Sequence, residues 1–138
     1  MLPVDPNAPV LDDVALYRRI NPTVHLVWDD NLNCRRISTG LFRDPDLSVG
    51  LGDVLEAHQR APETLLDSYP DQYLVAFPVS AVTEVHLTVV RDPVPDEPAH
   101  ARVPGKKTQR ITRALSRACK WIVKPDDGCG EPYPTPAN

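Results

Sequence analysis

Apolar and polar positions fall into short runs separated by turn chemistry. Ala15–Ile20 (ALYRRI) stops at Asn21-Pro22, a turn signal, and predicts a strand. Val24–Trp28 (VHLVW) is β-branched and aromatic and predicts a second. The polar loop Asp29–Asn33 then makes a strand–loop–strand unit that closes through Arg35–Thr39. Leu47–Leu51 predicts a short strand before Gly52, Asp53 an N-cap for a helix through His58, and Pro62 the first turn of another through Ser68. Tyr73–Phe77 and His86–Arg91 read as strands, with one helical turn at Ser80–Thr83 between them. Asp92–Pro98 (DPVPDEP) is a rigid loop, because each proline denies its predecessor the helical region. Ala99–Val103 follows as a strand.

The strongest pattern lies near the end. In Lys107–Val123 the apolar positions are Ile111, Ala114, Leu115, Ala118, Cys119 and Ile122, one stripe along a helical face. Thr108 or Gly105 opens that helix and Pro125 stops it. Strands outnumber long helices and do not alternate with them. The expectation is therefore α+β: a mixed or antiparallel sheet of about five short strands carrying a long amphipathic C-terminal helix.

Proline placement sets the expected boundaries. Pro3, Pro6 and Pro9 crowd the start, and Pro125, Pro132, Pro134 and Pro136 the end. Repeated proline removes backbone donors and fixes φ, so residues 1–13 read as a disordered arm and 125–138 as a disordered tail around a single domain over 14–124. At 138 residues and 41% hydrophobic content the chain can bury one core, which rules out wholesale disorder. No apolar run approaches the ~18 residues of a membrane span, so a soluble, cytoplasmic protein is expected. Cys34, Cys119 and Cys129 are odd in number and lack a C-x-x-C pair, which suggests reduced thiols. His25, His58, His86 and His100 lack metal-ligand spacing, and no metal is expected.

Charge changes the picture more. Net charge is −4, yet residues 101–124 hold eight basic and no acidic side chains, leaving seven basic and nineteen acidic elsewhere. Arg110, Arg113, Arg117, Lys120 and Lys124 recur every three or four residues and would share the face opposite the apolar stripe. That face predicts partner binding, with an acidic protein favoured. Nucleic acid is the weaker alternative, since the whole chain is acidic, only 6% aromatic and without a nucleic-acid motif.

Candidate chemistry is sparse. Strand alternation sends Arg18 and Arg19 to opposite faces, so one must be paired as a buried salt bridge or serve as an anion clamp. Arg35-Arg36-Ile37-Ser38-Thr39-Gly40 gathers two guanidiniums, two hydroxyls and a glycine where a strand meets a turn, a run able to hold phosphate or carboxylate. His100 follows the proline-stiffened loop between two alanines, which leaves an imidazole accessible for acid–base work. The candidate set is thus His100 and Ser38 for catalysis, Arg18, Arg19, Arg36 and Thr39 for ligand binding, and Arg110, Arg113, Arg117 and Lys120 for the partner. No G-x-S-x-G, P-loop, G-x-G-x-x-G or H-E-x-x-H motif is present.

The string Leu16-Tyr17-Arg18-Arg19-Ile20-Asn21-Pro22, then Ser38, Phe42 and Leu47-Ser48-Val49, then Asp92-Pro93 through Pro98-Ala99-His100-Ala101 and Gly105, resembles a family of small bacterial proteins from high-GC organisms. The resemblance runs over nearly the whole expected core. It implies no activity, but it does imply that Arg18, Ser38, Ser48 and His100 recur together. A second likeness is to ADP-ribosyltransferase-like domains, with Tyr17-Arg18 and Ser38-Thr39 matching the first two positions of an NAD cleft and Glu97 or His100 standing near the third. It implies an enzyme or nucleotide-binding domain, with NAD as the cofactor.

Overall fold

The computed structural model describes residues 4–134. Its strands are β1 (Ala15–Ile20), β2 (Leu26–Asp29), β3 (Cys34–Ile37), β4 (Asp46–Leu51), β5 (Tyr73–Pro78), β6 (Val90–Arg91), β7 (His100–Pro104) and β8 (Lys120–Val123). Its helices are α1 (Pro22–His25), α2 (Gly52–Ala57), α3 (Val79–Glu84) and α4 (Gln109–Arg117), with 3-10 turns at Thr39–Phe42 and Pro62–Leu66. Six strands form one antiparallel sheet in the order β6-β7-β4-β1-β5-β8, while β2 and β3 make a separate hairpin. The fold is α+β.

Alternation along β1 divides the sheet into two faces. Leu16 and Ile20 are fully buried on one, together with Val49, Val75, Phe77 and Ala101. Leu41 and Phe42 of the first 3-10 turn and Leu115 of α4 complete this core, and the Phe42 and Phe77 rings meet edge to face at 5.2 Å. Tyr17 and Arg19 point to the other face. There the turn Pro62–Leu66 covers β1, β5 and β8, and its Leu65 reaches over Gly50 of β4.

The long C-terminal helix is not formed. Thr108 caps α4 by accepting from the Ile111 N–H at 3.3 Å, but the helix ends after nine residues at Arg117. Trp121-Ile122-Val123 then pairs with β5 as an edge strand. Aromatic and β-branched residues gain more on the ladder than in another helical turn, and the open β5 edge supplies the partner. The buried side of α4 is also less apolar than expected. Thr112 and Ser116 are buried there, returning their hydroxyls to the carbonyls of Gln109 and Thr112 at 3.0 and 2.7 Å.

Other departures are local. Val24 and His25 belong to a helical turn capped by Asn21, so the second strand begins at Leu26. His86 has φ +62°, which ends the run expected to be a strand over His86–Arg91 and leaves only Val90–Arg91 paired.

The cysteines depart most. Cys34 and Cys129 are joined by a disulfide across 95 residues, while Cys119 alone is a free thiol, donating to the Leu115 carbonyl at 3.4 Å. The bond fastens residues 125–134 along β3, where a loose tail was expected. Arg35 N–H donates to the Asp127 carbonyl, Cys129 N–H to that of Arg35 and Ile37 N–H to that of Pro132, each at 2.8 Å. Trp121 Nε1 adds a bond to the Cys129 carbonyl at 2.8 Å. At the other end, Arg91 holds the Ala8 and Pro9 carbonyls while forming a two-pronged pair with Asp53. The expected tail residues 135–138 and arm residues 1–3 lie outside the described part. Among the described residues no helix is long and apolar enough to cross a membrane.

Candidate functional site

Register across β4 and β7 builds a polar cleft on the face that Tyr17 and Arg19 share. Gly50 stands opposite His100 and Ser48 opposite Arg102, so Ser48, Gly50 and His100 share one face. Gly50 lets this happen. A Cβ there would come within 2.7 Å of the Leu65 Cδ1 atom, so any larger residue would push the Leu65 side chain off the strand. The cleft is lined by Tyr17, Arg18, Arg19, Ser48, Leu65, Glu97 and His100.

His100 is held from both sides. Its Nδ1 lies 2.9 Å from the Asp92 main-chain oxygen and 3.2 Å from Asp92 Oδ2, and its Nε2 lies 3.3 Å from Ser48 Oγ. Both neighbours of Nδ1 are acceptors, so in the neutral ring Nδ1 carries the proton. Nε2 is then the acceptor, and the Ser48 hydroxyl donates to it. The Asp92 carboxylate is shared with Arg102 Nε at 3.5 Å, and Arg102 Nη1 also pairs with Asp46 at 3.0 Å.

The proline-rich loop fixes this arrangement. Val94 and Glu97 exchange main-chain hydrogen bonds, and Asp92 N–H returns to the His100 carbonyl at 3.0 Å. Glu97 meets Arg60 with two contacts of 2.6 and 2.8 Å and accepts the Ala99 N–H at 3.1 Å. The Arg60 hydrogen bonds hold the Glu97 carboxyl below the usual carboxylate range.

The expected ligand set is not gathered in one place. Arg18 pairs with no carboxylate among the described residues. Its Nε donates to the Leu41 carbonyl at 3.2 Å and its Nη1 to the Ser48 carbonyl at 3.1 Å, and burial lowers its pKa. Ser38 and Thr39 begin the 3-10 turn beyond that guanidinium, with Ser38 accepting the Gly40 N–H at 3.1 Å, and neither lines the cleft. Arg36 is spent on the hairpin, bonding Asp29 at 3.3 Å and the Ile37 carbonyl at 3.1 Å. Only Arg19 and His100 of the set present side chains to the cleft, and the Arg19 guanidinium rests 4.0 Å over the Tyr69 ring.

The two residues that His100 meets, Ser48 and Asp92, fell outside the candidate set. Ser48 stood in the string that carried the family resemblance. Asp92 began the proline-stiffened loop, which was the available signal.

The basic face lies elsewhere. Two of the eight cations in 101–124 are engaged within the molecule, Arg102 by surface pairs with Asp46 and Asp92 and buried Lys107 by the Val103 carbonyl. Lys106, Arg110, Arg113, Arg117, Lys120 and Lys124 are exposed. None of these six has a carboxylate at ion-pair distance among the described residues. Because α4 ends at Arg117, Lys120 stands on β8, beyond the helix. Comparison with known proteins adds nothing to this geometry: no protein family, curated protein or solved structure matches the chain.

Proposed function

We propose that the protein is an interaction module that docks an acidic protein partner on the basic face of α4 and the start of β8. One observation carries the reading. Arg35, Arg36, Arg60, Arg91 and Arg102 each hold a carboxylate within the molecule, whereas Arg110, Arg113, Arg117 and Lys120 are exposed and hold none among the described residues. Like charges one turn apart repel by ~0.2–0.5 kcal/mol per pair, and carboxylates on a partner would offset that. A protein fits better than a duplex, because the rest of the chain carries nineteen acids against seven bases and would repel phosphate beyond the patch.

The disulfide favours a non-reducing setting for this module over the cytoplasm, where thiol buffers keep such bonds open. An NAD-dependent transferase has less support. Its proposed residues do not converge, and the cleft holds about 30 Å³, far below the several hundred Å³ of a dinucleotide-sized site.

Anisotropy titrations with a fluorescent glutamate-rich peptide and with a DNA duplex test the proposal. The peptide should bind, and Arg113→Glu with Arg117→Glu should weaken it on the order of tenfold while the melting temperature barely moves. Peptide binding that survives the double reversal, or a duplex that binds more tightly with a steep salt dependence, overturns it.

A further inference from the structure

We infer that Ser48, His100 and Asp92 form a nucleophile, base and positioning residue for hydrolysis of small carboxylic esters, a site independent of the docking face. Three facts converge on it. The tautomer argument leaves Nε2 free to accept, so the Ser48 proton already points toward its base at 3.3 Å. Asp92 grips Nδ1 with both its main-chain and carboxylate oxygens, which fixes the ring's plane. Ser48 itself is anchored from behind, where Arg18 holds its carbonyl at 3.1 Å.

The reaction balances with water alone. Ser48 Oγ attacks the ester carbonyl carbon as its proton passes to His100 Nε2. The tetrahedral adduct collapses, breaking the bond to the alkoxide, which takes the proton from Nε2 and leaves as the alcohol. Water then attacks the acyl-serine through the same base, and the carboxylic acid departs as the proton returns to Ser48. Charge developing on the carbonyl oxygen falls in a cleft that Arg19 lines with no carboxylate at ion-pair distance among the described residues. Leu65 and Tyr17 narrow the space, which restricts the acyl group to short chains.

The test is intact-mass analysis after treatment with a fluorophosphonate, alongside hydrolysis of p-nitrophenyl acetate. One adduct and turnover above buffer are expected. Ser48→Ala should abolish both, and His100→Asn should cut turnover ~100-fold or more, with circular dichroism unchanged. Asp92→Asn should lower kcat with KM little changed, and Asp92→Glu should recover part of the loss; equal losses in the two variants would mark a purely structural role. A second arm avoids dependence on turnover. In Ser48→Cys the new thiol should be alkylated by iodoacetamide faster than in Ser48→Cys/His100→Asn, and Cys119 will not compete because burial pushes its pKa up. No fluorophosphonate adduct, an adduct that persists in Ser48→Ala, or equal alkylation rates overturn the inference.

Discussion

The cleft and the basic ridge treat their polar groups in opposite ways. In and around the cleft the polar groups answer to one another: Arg18 to two carbonyls, His100 to Asp92 and Ser48, Glu97 to Arg60. On the ridge Arg110, Arg113 and Arg117 answer to no carboxylate within the described chain. The difference follows from where each set sits. Groups set into a sheet lose water and must find partners, whereas charges on an outward helical face keep their hydration and need none. Substitutions in the cleft should therefore register in stability and chemistry, and those on the ridge in binding alone.

The largest expected effect belongs to neither region and calibrates both. Opening Cys34–Cys129 releases a 95-residue loop, worth roughly 4–5 kcal/mol in the chain-entropy view. Urea unfolding with and without reductant should show that loss. A change below ~1 kcal/mol would mean that the hydrogen bonds along β3 hold residues 125–134 without the covalent tie. Arg18→Met comes next. It strands the Leu41 and Ser48 carbonyls, partly offset by removing a buried charge, and should cost ~1–3 kcal/mol in the same assay. An unchanged midpoint would break the contrast, because a cation buried against the sheet would then behave like one on the ridge.

Glu97 sharpens the contrast through pH. Its folded pKa lies below the usual 4.5, so its contribution to stability is present above that value and lost as pH falls through the lower, folded one. Glu97→Gln should flatten the acid limb of the stability profile and cost about 1 kcal/mol at neutral pH, an effect read by thermal melts from pH 7 to 3. No equivalent acid dependence is expected from Arg113, which has no carboxylate partner among the described residues to protonate.

Much of the sheet was legible in the sequence because its signals are local. Ala15–Ile20 is β1 as read, and Tyr73–Phe77 and Ala99–Val103 lie within a residue of β5 and β7. The helical turn at Ser80–Thr83 is the centre of α3. What escaped depends on partners distant in sequence. The helical periodicity of Lys107–Val123 is real, but Trp121-Ile122-Val123 also satisfies an edge strand, and the unpaired β5 edge decided between them. The disulfide spans nearly the whole core, so no spacing rule could announce it. Ser38 drew notice because it sits in a polar run, yet Ser48 meets His100, and that meeting exists only in the register of β4 against β7. Asp92 needs the further step of a loop folded back on its own strand.

The smallest effect on stability is the most telling one. Arg113→Glu with Arg117→Glu replaces two exposed cations by anions on a helix that contributes no carboxylate of its own. Arg117 lies in the last turn, where a positive charge favours the helix dipole and a negative one opposes it. Arg110, Arg113 and Arg117 also repel one another; after the reversal the carboxylate at position 113 would attract Arg110, while the two new carboxylates would still repel each other. The two influences are each a few tenths of a kcal/mol and opposite in sign, so the net change should stay within about 0.5 kcal/mol. Urea unfolding of the double variant reads it directly. A loss above ~2 kcal/mol would show that the ridge is tied into the fold after all. Those arginines would then be structural in the same sense as Arg18, and the contrast between the two regions, on which the docking proposal stands, would disappear.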